Sequence, residues 1–100
     1  MPYNFKQITE LTKVEKAERY SASLTGLTPI KQIGIQAFPG AIFYLNDSNF
    51  PIVIGKSGIY ELEAVNGMEI NSIAMDASSY DKINKNSSLS LIIDILGGNG

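Results

Sequence analysis

The pattern of apolar positions in this 100-residue chain changes near residue 30. Before that point Ile8, Leu11 and Val14 recur every three residues, with Lys and Glu between them. That spacing predicts a narrow apolar stripe on a short helix, which needs a packing partner to be stable. Ser21 to Pro29 is rich in Ser, Thr and Gly and reads as a linker or an irregular strand. From Lys31 onward the pattern is that of strands. Ile33 and Ile35 alternate with Gly34 and Gln36, as on a half-buried strand. Ala41 to Leu45 and Pro51 to Ile54 are short, nearly continuous apolar runs. Pro51 has no amide donor, so it should open its strand or lie on an edge. Further on, Glu61 and Glu63 face one way while Tyr60, Leu62 and Ala64 face the other. Near the end, Leu89, Leu91 and Ile93 share one face of a strand, with Ile92 and Asp94 on the opposite face.

Turn chemistry separates these runs. Phe38-Pro39-Gly40-Ala41 suits a type II turn, with Pro fixing φ and Gly accepting a positive φ. Asn46 to Asn49 and Gly55 to Gly58 read as turns, and Asn66-Gly67 is the strongest hairpin signal in the chain. Asp76 is a good N-cap for a short helix in which Tyr80 and Ile83 share a face and which Asn86 ends. The last strand follows that helix, so it need not pair with the strand just before it. The expected fold is mostly β: a small antiparallel sandwich or barrel of about five or six strands, with one helix over about 76–85. Residues 1–30 form an N-terminal arm with a short helix and linker, 31–96 the β-domain, and 97–100 a flexible tail.

Composition narrows the chemistry. Hydrophobic residues make up 44% of the chain, enough for a modest core. No apolar run approaches a membrane span, and the charges throughout residues 1–20 do not suit a signal peptide. There is no Cys and no His. Disulfides, thiolate metal sites, thiol nucleophiles and Ser-His-Asp arrangements are therefore excluded within this chain. The net charge is −2 and no basic stripe is interleaved with aromatics, which argues against nucleic acid.

The remaining candidates are carboxylates and aromatics. Glu61 and Glu63 could pair as an acid and a nucleophile, but they fit the wet face of a hairpin better. Asn46-Asp47-Ser48-Asn49 lacks the spacing of a calcium loop. Gly55-Lys56-Ser57-Gly58 is followed by a strand rather than a helix, so it is no phosphate loop. Asp76, Asp81 and Asp94 have separate structural uses. No catalytic residue, metal ligand or cofactor is expected. Phe38, Phe43, Tyr44, Phe50 and Tyr60 mostly suit a core, with Phe38, Tyr44 and Phe50 as candidate surface or ligand contacts.

Four segments form a set: Ile33-Gly34-Ile35-Gln36-Ala37-Phe38-Pro39-Gly40, Phe43-Tyr44-Leu45-Asn46, Pro51-Ile52-Val53-Ile54-Gly55 and Gly58-Ile59-Tyr60-Glu61-Leu62. With Leu91-Ile92-Ile93-Asp94 they resemble a small β-module of structural proteins of tailed bacteriophages and prophages. The opening Tyr3-Asn4-Phe5-Lys6 also resembles the start of small phage fibre or decoration proteins. This resemblance implies a non-enzymatic virion component, made in the bacterial host and anchored or oligomerised through its N-terminal arm. A small capsid decoration or head-fibre protein fits best. Tyr3, Phe5, Ile8, Leu11 and Val14 are the candidate assembly contacts. The implied partners are capsid or tail proteins and further copies of the chain, a trimer among the options. The alternative is a carbohydrate-binding module that attaches a phage tail to host glycans, using Phe38, Phe43, Tyr44 and Phe50 with Asn46, Asp47 and Asn49.

Overall fold

The computed structural model describes residues 4–14, 18–64 and 69–98. Nine strands lie in this range: β1 (Asn4–Ile8), β2 (Thr12–Val14), β3 (Arg19–Ser23), β4 (Ile30–Gln36), β5 (Ile42–Leu45), β6 (Ile52–Val53), β7 (Ile59–Glu63), β8 (Ser72–Asp76) and β9 (Ile92–Gly97). A single α-helix, α1 (Ala77–Lys85), joins β8 to β9. The strands form two antiparallel sheets, ordered β1-β9-β4-β7 and β2-β3-β8-β5-β6. The mostly β fold with one short helix is the expected one, and β4 to β7 and β9 overlap the runs that the sequence pattern marks as strands.

The sheets pack face to face over one apolar cluster. In the four-stranded sheet, Ile8, Ile93, Ile35 and Tyr60 form one inward row across β1, β9, β4 and β7. In the five-stranded sheet, Tyr20, Met75, Phe43 and Ile52 form an inward row across β3, β8, β5 and β6. Phe43, Ile73, Met75, Ile93 and Ile95 are completely buried. Each such side chain contributes roughly 1.5–3 kcal/mol relative to exposure. The β-branched isoleucines suit this surface because their χ1 is already restricted.

The N-terminal segment departs from expectation. Asn4–Ile8 is a strand paired with β9, and Arg19–Ser23 is a strand paired with β8. The three-residue spacing of Ile8, Leu11 and Val14 arises because the chain crosses from one sheet to the other. Ile8 ends β1, Leu11 lies in the crossing and Val14 ends β2. The intervening Lys and Glu favour a helix, but pairing along β9 and β3 outweighs a marginal local preference. Residues 4–14 and 18–30 are therefore part of the same two sheets and their connections. Gly97 and Gly98, expected to begin a flexible tail, are buried.

Local signals decide most boundaries. The Ala41 N–H donates to the Phe38 carbonyl at 3.1 Å and Gly40 has φ +91°, as a type II turn requires. Asp76 caps α1 by accepting from the Ser78 N–H at 3.1 Å, and the Asn86 N–H donates back to the Ile83 carbonyl. Tyr80 of α1 stacks on Tyr20 with ring centroids 4.3 Å apart, and its hydroxyl accepts from the Leu11 N–H at 3.1 Å. Pro51 directly precedes β6, an edge strand of two residues. The Asn66-Gly67 turn signal lies outside the described residues.

Two glycines in the four-stranded sheet respond oppositely to substitution. A Cβ on Gly97 would lie 2.3 Å from the Leu27 carbonyl oxygen and 3.0 Å from that of Pro29. Gly97→Ala should therefore destabilise the fold by about 1–3 kcal/mol. A Cβ on Gly34 meets nothing within 4 Å. Gly34→Ala should stabilise by roughly 0.5–1 kcal/mol, because Gly weakens a strand interior. The midpoints of urea unfolding curves for both variants test this pair of opposite signs.

Candidate interaction surface

The β5–β6 hairpin carries the most exposed aromatic among the described residues, Phe50, at 84% exposure. Its loop begins with a tight turn. Asn46 and Asp47 have φ of +55° and +57°, and the Ser48 N–H donates to the Leu45 carbonyl at 3.0 Å. Two successive positive φ values are the pattern of a type I′ turn, which Asn and Asp tolerate best among residues with a side chain.

Three side chains, those of Asn46, Arg19 and Ser48, fix this loop. The Asn46 side-chain oxygen accepts from the backbone N–H groups of Asn71 (2.6 Å) and Ser72 (3.3 Å), while its amide donates to the Glu69 carbonyl. The Arg19 guanidinium donates to the Ser48 carbonyl at 3.0 Å and to the Asn49 side-chain oxygen at 3.4 Å. The Ser48 hydroxyl accepts from the Phe50 N–H at 3.0 Å. The same guanidinium lies 3.7 Å above the Tyr44 ring. Arg19 is on β3 and Tyr44 on β5, with Ala74 of β8 directly opposite Tyr44. The small Ala74 side chain leaves room for the arginine to cross to the tyrosine.

Strand register adds an aliphatic part. Ile42 and Val53 are directly opposite across β5 and β6, and Ile42 shares the outer face with Tyr44. Val53 is 58% exposed. The hairpin thus offers an aromatic side chain at its loop and an aliphatic one on its edge, both held by hydrogen-bonded backbone.

The expected surface residues are only partly brought together. Phe50 is exposed. Tyr44 is half-buried with Arg19 over one ring face. Phe38 is half-buried against the core, with the Lys82 ammonium 5.7 Å from its ring centre. Phe43 is in the core, because its inward parity on β5 faces Met75. The sugar platform of Phe38, Phe43, Tyr44 and Phe50 is therefore not assembled. Among the expected assembly contacts, Phe5 is exposed and Val14 half-buried, whereas Ile8 is buried and Leu11 packs on the core. Tyr3 lies outside the described residues. Asp76 caps the helix and Asp94 sits on the opposite sheet, so the three aspartates do not converge. Among the described residues, no group of three or more acidic side chains is placed to hold a metal ion. Sequence reasoning missed Arg19 and Val53. Arg19 acts across three strands, and Val53 sits in an apolar run whose outward member only the register identifies.

The fold and this surface define a small antiparallel β-sandwich that presents apolar side chains on a fixed hairpin. No protein-family model, curated protein or solved structure matches the chain.

Asn46 should matter more than its exposure suggests. Asn46→Gly keeps the positive φ and loses the side-chain bonds, costing about 1–3 kcal/mol at roughly 1 kcal/mol per hydrogen bond. Asn46→Ala adds the left-handed penalty of about 1–2 kcal/mol. Thermal unfolding should rank wild type above Gly and Gly above Ala; an Ala variant as stable as wild type would show that Asn46 does not anchor the loop.

Proposed function

We propose that this chain is a non-enzymatic structural module of a bacteriophage virion, docked to a capsid or tail protein through the Phe50–Val53 hairpin. The observation that carries the docking surface is the 84% exposure of Phe50 on a loop pinned by Asn46 and Arg19. A phenylalanine held out in water forgoes roughly 1.5–3 kcal/mol of burial. A flexible loop could fold it back, but a pinned loop keeps it available to a partner. The virion assignment rests on the resemblance of the motif set from Ile33 to Leu62 to a phage structural module, and the segments of that set lie in and between β4, β5, β6 and β7. The burial of Ile8 and Leu11 moves the proposed contact from an N-terminal arm to the hairpin.

The test is incorporation into particles. Phage particles purified from cells that express the tagged chain with its neighbouring phage genes should carry it at a fixed ratio to capsid or tail protein. A Phe50→Ser, Val53→Ser double variant should fold with an unchanged melting temperature, yet be reduced at least about tenfold in the particle, since a hot-spot aromatic contributes 2 kcal/mol or more. Particles lacking the wild-type chain would overturn the virion reading. Normal incorporation of the double variant would overturn the choice of surface.

A further inference from the structure

Among the described residues, no strand pairs with β7 on the side away from β4, and the groups it presents there suit one kind of partner. The Ala64 N–H donates to the Lys31 carbonyl and the Ala37 N–H to the Gly58 carbonyl, both at 2.9 Å. Residues 58 and 64 therefore turn their bonding groups toward β4. These groups alternate along an antiparallel strand. Tyr60 and Leu62 thus also face β4, while Ile59, Glu61 and Glu63 turn theirs to the free edge. Ile59 is already served: the Ser57 hydroxyl accepts from its N–H (3.3 Å) and donates to its carbonyl (3.4 Å). The N–H and C=O groups of Glu61 and Glu63 have no partner among the described residues.

The other three edges are guarded. β1 carries Lys6 and β2 carries Lys13 at inward register positions, directly opposite Ile95 and Tyr20. β6 has two residues and follows Pro51. The inward positions of β7 are Tyr60 and Leu62, which continue the apolar rows of the core.

The outer positions choose the partner. The paired outer rows of this sheet hold Glu61, Glu63 and Asp94, and neither Lys nor Arg. A second copy pairing antiparallel at this edge would set Glu61 of one chain opposite Glu61 or Glu63 of the other, which is unfavourable. Across the ladder from Glu61 lies Gly34, and beyond Gly34 lies Asp94. The missing Cβ leaves a depression of about 260 Å³ lined by Phe5, Gln32, Gly34, Glu61, Asp94 and Leu96. A guanidinium entering it meets carboxylates on two sides and the ring of Phe5, which is 65% exposed.

We propose that β7 binds an extended segment of another protein as a fifth strand, one carrying Arg opposite Glu61, a cation opposite Glu63 and an apolar residue between them. This goes beyond the virion reading and holds whatever particle or complex the chain belongs to. Main-chain bonds would supply affinity and the alternate side chains specificity.

The experiment uses the full chain and a synthetic peptide with the core Thr-Arg-Val-Arg-Thr. Saturating peptide should slow hydrogen exchange at the Glu61 and Glu63 amides, with no slowing at β1, β2 or β6. Methylating the two arginine backbone nitrogens should abolish this. The double variant Glu61→Lys, Glu63→Lys should lose roughly tenfold in affinity and gain binding of a Thr-Glu-Val-Glu-Thr peptide, as expected when two cross-strand pairs change sign. If that variant does not fold, E61Q/E63Q serves, with the same loss of arginine-peptide affinity and no gain of the acidic peptide. Gly34→Val, which fills the depression, should erase any preference for the Arg peptide over its Lys counterpart. Unchanged exchange at Glu61 and Glu63, equal binding of the methylated peptide, or self-pairing of the free chain through β7 would overturn the proposal.

Discussion

The structure depends on the register of β9. This strand is paired on both sides, with β1 and with β4, and it places Ile93 and Ile95 wholly inside. Side chains alternate along a strand, so a one-residue slip would bury Asp94 and expose both isoleucines. The register is pinned at one end by backbone rather than by a side chain. Gly97 lies against the Leu27 and Pro29 carbonyls so closely that a Cβ would collide with both, and the Gly98 N–H donates to the Pro29 carbonyl at 2.9 Å. On the outer face, the Gln7 amide donates to the Asp94 carboxylate at 3.0 Å and links β1 to the same register.

That register also determines what the two outer faces offer. With Ile93 and Ile95 inward, Asp94 must stand outward beside Gly34 and Glu61. The four-stranded sheet then shows carboxylates, amides and the exposed Phe5 and Ile59. The outer face of the five-stranded sheet is different. Arg19 crosses Ala74 to Tyr44 and holds the Phe50 loop by its backbone. The inward rows of both sheets are built from isoleucine with Tyr20, Phe43, Tyr60 and Met75. The chain's chemical differences lie on the two outer faces and are separated by the core.

The sequence made local features legible where one residue type determines one backbone state. Gly40 after Pro39, Asp76 before α1, Asn86 after it and Pro51 before β6 all sit where their chemistry requires. The outward setting of Glu61 and Glu63 follows from alternation alone. Long-range pairing was not legible. Nothing near Asn4–Ile8 announces that its partner is β9, almost ninety residues away. The same charged, three-spaced pattern suits a helix as well as two short strands with a crossing between them. The interaction surface was half legible for the same reason. Phe50 sits in a polar turn and can be picked out by eye, whereas Arg19 becomes part of the surface only once β3, β8 and β5 are side by side.

The Phe50 hairpin and the β7 edge should behave as independent contacts, because they share no structural element. The hairpin is held by Asn46 to residues 69–72 and by Arg19 from β3. Among the described residues, β7 pairs only with β4, in the other sheet. Side chains that neither touch nor share a partner contribute additively. The inner rows between them hold buried side chains of several kinds, Ile35, Phe43, Met75 and Ile93 among them, and close packing of this sort leaves little slack through which one surface could bias the other. If both proposed contacts hold, a partner at the hairpin would fix the position of the module without altering the β7 edge, and a second protein could add its strand independently.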